Sequence, residues 1–301
     1  MRTQSSGHFQ SKHHTPFFAW DTRGLKQAMK WTRREFVGAA GLLALAGCAR
    51  VKQSRIGKLA PDLDFRKEGP LRFAALNDLH LLDSRSVGIV GRAVNAINND
   101  EDIAFTVVLG DLTSHGTLRE MNLVRHALGR LEKPYFCIPG PHDLAVGTED
   151  PYTFYRRVFK KSQWKMNMEG WAFLGVDTCG GREESLPMSE SNLEWFDIQL
   201  AHLDPKRPLV VLTHHPLAPG FEGRLANADD VLSRLEPYNV KLVLSGHYHG
   251  SQVTDHAGAV HITTPCCSTV AQNSDGTAEK GFRRVVLDEG QIQHEFVPVP
   301  T

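Results

Sequence analysis

The stretch LRFAALNDLH at residues 71–80 joins an apolar run to an acidic residue and a histidine. Leu71–Leu76 has the continuous apolar composition of a strand that is covered on both faces. Asp78 and His80 follow it two residues apart, so in extended backbone their side chains point the same way. The stretch therefore predicts a buried strand that ends in two groups able to reach one ion.

The same alternation of apolar runs and helix-like segments continues along the chain. Strands are predicted at residues 104–109, 135–138, 171–176, 209–213 and 241–244. Helices are predicted at residues 87–99, 118–131, 192–203 and 229–235, the third of them capped by Ser191 or Asn192. Short strands at 259–263, 282–287 and 292–297 indicate antiparallel additions. We expect one α/β domain over residues 70–301, with two sheets packed face to face and helices outside.

Four further polar motifs each follow one of the predicted strands. They are Gly110-Asp111, Gly140-Pro141-His142-Asp143, His214-His215-Pro216 and Gly246-His247-Tyr248-His249. Ligands of α/β folds gather at the carboxyl ends of strands. A histidine at a buried strand end needs a hydrogen bond or a ligand. Each motif alone is equally typical of an ordinary turn, but the five together indicate a shared site.

In this order, Asp-x-His, Gly-Asp, Gly-x-His-Asp, His and Gly-His-x-His resemble the motifs of the calcineurin-like metallophosphoesterase superfamily. The resemblance runs from about residue 71 to 261. It implies a four-layer α/β/β/α sandwich with two mixed sheets. It also implies a phosphoesterase that hydrolyses phosphate monoesters or diesters through a metal-activated hydroxide, with small phosphodiesters or cyclic-nucleotide-like substrates favoured.

The resemblance implies a role for six metal ligands, which are Asp78, His80, Asp111, His214, His247 and His249. Asp111 would bridge two ions, Asp78, His80 and His249 would complete the first site, and His214 and His247 would serve the second. Mixed carboxylate and imidazole donors suit Fe, Mn or Zn, so we expect one or two such ions per chain.

The third motif departs from the family, which has Asn where this chain has Pro141. Proline offers no side-chain donor atom, so the second site keeps three expected protein ligands and should bind metal more weakly. His142 is expected to assist the leaving oxygen, with Asp143 orienting it. One alternative is a catalytically weakened metal-binding lipoprotein of the same fold. Another is the same fold acting on a non-phosphate substrate.

Four further polar residues lie beside these motifs. His215 is expected to lie behind the ligands or to face substrate, and His115 to touch substrate or to lie at the surface. Asn77 should point away from Asp78, because neighbouring residues of a strand face opposite sides. Arg182, in a loop at residues 177–188, is a candidate phosphate contact.

The N-terminal segment indicates export. The pair Arg33-Arg34 resembles the start of a twin-arginine export signal. The apolar run that follows it has about half of the roughly 20 residues that a membrane span needs, which is typical of a signal peptide. The sequence at 45–48 resembles a lipoprotein cleavage box ending at Cys48. We expect residues 1–48 to be an N-terminal extension plus signal, and 49–69 to be a tether. The first 28 residues either come from an upstream start codon, with the true start at Met29, or are a disordered extension. The protein would use the twin-arginine export machinery and be periplasmic or at the cell surface, anchored through lipidated Cys48.

The charge and the cysteine content bear on nucleic-acid binding and on disulfide formation. The 34 Lys and Arg balance the 34 Asp and Glu, so no nucleic-acid surface is indicated. Besides Cys48 the chain has Cys137, Cys179, Cys266 and Cys267. Export would permit one disulfide among them, while buried thiols that pack as small apolar groups are the alternative.

Overall fold

Strand β1, Leu71–Leu76, lies in the middle of a mixed sheet in the computed structural model, which describes residues 69–301. Strands β2 (Ile103–Leu109) and β3 (Tyr135–Ile138) follow in parallel on one side. On the other side lies an antiparallel hairpin formed by β10 (Lys280–Asp288) and β11 (Gln291–Val299). The prediction of antiparallel C-terminal additions is confirmed for this hairpin.

The second sheet has six strands in the order β4-β5-β6-β7-β9-β8. These strands are β4 (Trp164–Met168), β5 (Trp171–Gly175), β6 (Leu209–Thr213), β7 (Val240–Ser245), β8 (Val253–His256) and β9 (Ala259–Thr263). The four inner strands are parallel, and β4 and β8 are antiparallel edges. β9 pairs antiparallel with β8, as expected for an antiparallel addition, and in parallel with β7, because the short β8 reverses the chain first.

Helices cover the outer face of each sheet. The first sheet packs against α1 (Val87–Asn99), α2 (Leu118–Leu128) and α3 (Thr153–Phe159), and the second against α4 (Glu190–Ala201) and α5 (Ala228–Leu235). Of the residues that the structure describes, none form a helix with the length and apolar character that crossing a membrane requires.

The cap of α4 differs from the prediction. Ser189 is the N-cap, and its side chain accepts a hydrogen bond from the backbone N–H of Asn192. The expected caps, Ser191 and Asn192, both lie inside the first turn. The apolar pattern that located the helix starts after this turn, because Glu190 and Ser191 are exposed and no apolar residue is needed there.

The space between the sheets is filled by aromatic rings. Phe73 and Phe105 stack with their centroids 5.2 Å apart, and the edge of Phe173 meets them at 5.9 and 5.4 Å. Two more apolar layers separate the sheets from the helices on either side. The predicted four-layer α/β/β/α sandwich is confirmed.

The four cysteines within residues 69–301 are buried and free. Cys266 Sγ lies 2.9 Å from Lys280 Nζ, and Cys137 lies in β3. The structure therefore favours buried thiols over the disulfide that export would permit.

Candidate metal centre

The carboxyl ends of four strands, two from each sheet, meet at one edge of the sandwich. Asp78 and Asp111 follow β1 and β2 of the first sheet, and His214 and His247 follow β6 and β7 of the second. Backbone hydrogen bonds join neighbouring strand ends, from Asp78 N–H to Gly110 O at 3.1 Å and from Gly246 N–H to His214 O at 3.0 Å. The fold thus brings polar residues that are distant in sequence to one place.

The first of two clusters at this edge contains Asp78, His80, Asp111 and His249. Their donor atoms all lie within 4.8 Å of one another. His249 Nε2 is 3.3 Å from Asp78 Oδ1, and His80 Nε2 is 3.7 Å from Asp111 Oδ2. Three of the four residues are buried and the fourth, His249, is partly buried. The structure therefore brings together the residues expected to form the first metal site.

The second cluster contains His214, His215 and His247, again with donor atoms within 4.8 Å of one another. His214 Nδ1 lies 2.8 Å from Leu109 O. A carbonyl oxygen only accepts, so Nδ1 carries the proton and the Nε2 lone pair is free. That Nε2 is 3.6 Å from Asp111 Oδ2 and has no hydrogen-bond partner. An orphaned buried nitrogen, held in this tautomer beside a carboxylate, fits a metal ligand.

The electrostatics of the clusters fit a multivalent cation. Burial and the neighbouring Asp78 raise the pKa of Asp111 to about 7. Burial lowers the pKa of His80 to about 3. The neutral imidazole of His80, whose Nε2 lies 3.2 Å from Nε2 of His249, and the crowded carboxylates can offer lone pairs to a shared cation. Burial lowers the pKa of His249, but Asp78 and Asp111 raise this pKa to about 9, so a bound cation would take the place of the His249 proton. A bound ion would offset the repulsion that raises the pKa of Asp111.

Backbone strain is concentrated in the same residues. Among non-glycine residues at 69–301, nine have a positive φ, and five of these are expected metal ligands. The five are Asp78, His80, Asp111, His247 and His249, with φ between 43° and 65°. Such conformations persist only where surrounding structure holds them, and they are frequent at functional sites. The backbone at these strand ends therefore places the side chains of the expected ligands, and it does so at some cost in stability.

Two glycines leave room for the carboxylates. A Cβ added at Gly140 would overlap Oδ1 of Asp111, and a Cβ at Gly246 would lie 2.8 Å from Oδ2 of Asp78. The glycines of the third and fifth motifs are thus required by close approach to ligands from the other motifs.

His142 lies beside the first cluster, and its ring contacts Ser114 and Glu184 instead of the expected Asp143. Its Nδ1 lies 2.9 Å from Ser114 O and its Nε2 lies 3.4 Å from Glu184 Oε1. Burial lowers the pKa of His142, but Asp111, the Ser114 carbonyl and Glu184 raise this pKa above its usual value. The side chain is therefore suited to donate a proton near neutral pH.

Asp143 does not orient the ring of His142 directly, and this part of the prediction is wrong. Its carboxylate accepts hydrogen bonds from the backbone N–H groups of Leu112, Thr113 and Gly140 at 2.9–3.1 Å and from the Thr113 hydroxyl. Asp143 therefore joins the loop after β2 to the short 3-10 helix at Pro141–Asp143. Through this loop it places the backbone N–H of His142, which donates to Asp111 Oδ1 at 2.9 Å.

Three other residues that lie near the motifs are Asn77, Arg182 and His115. The expectation for Asn77 is wrong, since its amide donates to the Asp78 carboxylate and to Thr264 O. The Arg182 guanidinium donates to Leu144 O at 2.7 Å and does not line the cavity over the clusters. His115 is largely exposed, with Nδ1 2.9 Å from Glu120 Oε1.

A cavity of about 280 Å³ opens above the two clusters. His80, Asp111, His142, His247 and His249 reach its surface, and its walls include the acidic residues Glu184 and Glu222 and the ring of Tyr248. No lysine or arginine of the described residues lines it. Sequence reasoning missed Glu184, Glu222 and Tyr248, of which only Tyr248 lies within a motif.

The fold and this site belong to a known class. Residues 71–251 match the family model of the calcineurin-like phosphoesterases, and the chain belongs to that family. It is a hydrolase that acts on phosphoester bonds. The family implies divalent metal ions, and the two clusters are the candidate residues to hold them.

Particular relatives narrow the comparison. The chain is 23% identical to a probable cyclic nucleotide phosphodiesterase of Xenorhabdus bovienii, over 72% of this chain and 95% of the relative. It is 24% identical to the 3',5'-cyclic adenosine monophosphate phosphodiesterase of Escherichia coli K12, over 66% and 76% of the two chains. The purple acid phosphatase PPD1 of yellow lupin seeds shares the fold, with a TM-score of 0.56 at 14% identity over 76% of this chain and 52% of that chain.

Proposed function

We propose that this chain hydrolyses small phosphodiesters, with cyclic-nucleotide-like substrates favoured over phosphomonoesters. The observation that carries the proposal is the convergence of Asp78, His80, Asp111 and His249 within 4.8 Å of one another below an open cavity. Relatives that carry the name of cyclic nucleotide phosphodiesterases support the substrate class.

The ions would be held by Asp78, His80, Asp111, His214, His247 and His249, and Fe, Mn or Zn suits these donors. When bound, such ions supply positive charge to the phosphoryl oxygens and activate the attacking water. His142 contributes a proton to the leaving oxygen, because Ser114 O fixes its Nδ1–H and its Nε2 faces the cavity. Asp143 keeps the backbone N–H of His142 on the Asp111 carboxylate.

The charge of the cavity favours diesters. A monoester phosphate carries close to two negative charges near neutral pH, whereas a diester carries one. Glu184 and Glu222 line the cavity, and no basic side chain other than histidine does so within residues 69–301. Repulsion from these carboxylates therefore penalises a monoester more than a diester.

The test uses full-length protein loaded with Mn or Fe and three substrates: a cyclic nucleotide, an aryl phosphodiester and an aryl phosphomonoester. We expect kcat/KM to be about tenfold or more higher for the diesters, and a chelator to abolish turnover. His249→Ala should lose metal and activity, while His126→Ala, on the exposed surface of α2, should retain both. Absence of turnover on every ester, with metal content unchanged in His249→Ala, would overturn the proposal.

Pro141 supports a second candidate, a metal-binding lipoprotein of the same fold with little turnover. Proline supplies no donor atom where the family resemblance places Asn. In that case the unmodified protein binds metal but turns over slowly, and Pro141→Asn raises both the metal stoichiometry and kcat. If the phosphodiesterase proposal holds, the unmodified protein is already active and Pro141→Asn changes kcat by less than about threefold.

We also propose that the protein is exported by the twin-arginine machinery and anchored through Cys48. The basis is the sequence alone, because residues 1–68 lie outside the described part of the structure. Replacing Arg33 and Arg34 with lysine should leave the precursor in the cytoplasm. Cys48→Ala should release the exported protein from the membrane fraction, whereas unchanged membrane association would contradict the anchor.

A further inference from the structure

We propose that His215 supplies the ligand to the second metal site that Pro141 cannot supply, so that the site is formed by Asp111, His214, His215 and His247. This inference rests on the proposed function, because it concerns the same metal centre. It differs from the expectation for the family, in which the second site takes Asn at position 141.

The chain bends at His214 and His215, directly after β6. In an extended strand two consecutive side chains would point to opposite faces. Here the bend is stabilised by the Thr213 hydroxyl, which donates to His215 O at 2.9 Å. Both imidazoles therefore turn towards His247. The ring centroid of His247 lies 5.1 Å from that of His214 and 4.6 Å from that of His215.

His215 has an unexplained buried nitrogen. The residue is 1% exposed, and its Nε2 has no hydrogen-bond partner. The Nε2 of the neighbouring His214 is also buried and without a partner. Two unpaired imidazole nitrogens in adjacent rings are unfavourable unless a cation takes their lone pairs.

The other side of the His215 ring is anchored. Its Nδ1 lies 2.8 Å from Thr178 Oγ1, and the backbone N–H of His215 donates to the same hydroxyl at 3.2 Å. Metal-bound histidines are usually oriented by such a hydrogen bond on the second ring nitrogen. The anchor and the orphaned Nε2 together give His215 the surroundings of a ligand.

The competing interpretation is that His215 only packs in the core and supports Thr178. A rescue experiment separates the two. Full-length protein is loaded with Co(II), and metal per chain is measured by mass spectrometry together with the visible Co(II) spectrum. We expect two ions per chain in the unmodified protein and weaker binding of the second ion, by about tenfold or more, in His215→Ala. Pro141→Asn combined with His215→Ala should recover the second ion, since asparagine restores a donor.

A packing role predicts instead that folded His215→Ala binds the second ion with unchanged affinity, and that outcome overturns the inference. So does a second ion that Pro141→Asn fails to recover in His215→Ala, or only one ion in the unmodified protein. If His215→Ala does not fold, the unmodified Co(II) protein still decides. Paramagnetically shifted imidazole signals of ¹⁵N-histidine protein should come from five rings, those of His80, His214, His215, His247 and His249. Signals from four rings would count against His215.

Metal stoichiometry is measured without substrate, so failure of this inference is distinct from failure of the proposed function. An active enzyme with four shifted histidines would leave the phosphodiesterase proposal intact. An inactive protein with five shifted histidines would support the metal site and contradict the proposed activity.

Discussion

At the scale of single residues, the metal centre depends on backbone conformations that most side chains avoid. Asp78, His80, Asp111, His247 and His249 all have positive φ. Each such residue costs on the order of 1–3 kcal/mol, which neighbouring contacts must offset. Gly140 and Gly246 contribute by having no Cβ, which leaves the Asp111 and Asp78 carboxylates in place.

Gly140→Ala tests this dependence, because its methyl group would overlap Asp111 Oδ1. We expect loss of metal and a fall in kcat/KM of about 100-fold or more. Gly88→Ala in α1 is the matched control, since the nearest atom to its Cβ would be 3.7 Å away. Normal metal content in Gly140→Ala would contradict the close approach.

Glu222→Gln tests the origin of the preference for diesters. Removing one acidic group from the cavity wall should raise kcat/KM for a phosphomonoester several-fold and change the diester value little. Glu183→Gln, an exposed neighbour of Glu184 that does not line the cavity, is the control. Equal effects of Glu222→Gln on both ester types would show that the carboxylate does not discriminate by charge.

At the scale of elements, the strands place the ligands and the helices stabilise the layers. The loop between Asp111 and α2 ends in a capping box, in which the Thr117 hydroxyl accepts from Glu120 N–H and the Glu120 carboxylate accepts from Thr117 N–H. The same carboxylate also accepts from His115 N–H at 3.1 Å. The start of α2 is thus joined to the loop that follows a metal ligand.

Thr117→Ala should lower the free energy of unfolding by about 1 kcal/mol, because it removes the cap of α2. Urea denaturation measures this change, and Ser185→Ala in an exposed loop is the control. Metal content should be unchanged, since Glu120 still holds the loop. A large loss of metal without loss of stability would place Thr117 in the site instead.

The elements that the sequence predicted well are those with a clear apolar pattern. The strands Leu71–Leu76, Tyr135–Ile138 and Leu209–Thr213 and the helix Val87–Asn99 agree with the prediction to the residue. The edge strands Trp164–Met168 and Val253–His256 were missed. Polar residues interrupt the apolar run in both of these strands, whereas the edge strand Tyr135–Ile138 is apolar throughout.

The candidate site could also be predicted only in part from the sequence. Asp78, Asp111 and His214 were predictable because polar residues directly after apolar runs must lie at strand ends. The contacts of Asp143 with Leu112 and of Glu184 with His142 were not, because they depend on the path of loops. The bend that turns His215 beside His214 likewise has no periodic signal in the sequence.

At the scale of the whole molecule, the metal centre joins the two sheets. Asp78 and Asp111 belong to the first sheet and His214 and His247 to the second, so an ion bound by both sets links the layers. The sheets are also joined by the apolar layer between them, which includes Phe73, Phe105 and Phe173. Metal binding should therefore stabilise the entire sandwich.

Metal removal tests that coupling. A ligand present at 100 times its Kd stabilises the folded state by about 2.7 kcal/mol, and for a chain of this size that corresponds to roughly 5–10 °C in Tm. We expect a chelator to lower the Tm of the unmodified protein by this amount. The shift should vanish in Asp111→Asn and persist in His126→Ala. An equal shift in Asp111→Asn would place the stabilising ion elsewhere.

The pairing of β1 with β10 has a consequence for the synthesis of the protein. Leu71 pairs with Leu287, so the first strand of the described chain waits for one of the last before its sheet is complete. Until then β1 has an open edge, and Asp78 follows directly from that unfinished strand. The motifs that follow β1, β2 and β3 all precede β10 in the chain, although their sheet needs β10 for its completion. The half of the metal centre that Asp78 and Asp111 provide therefore rests on a sheet that only the C-terminal hairpin completes.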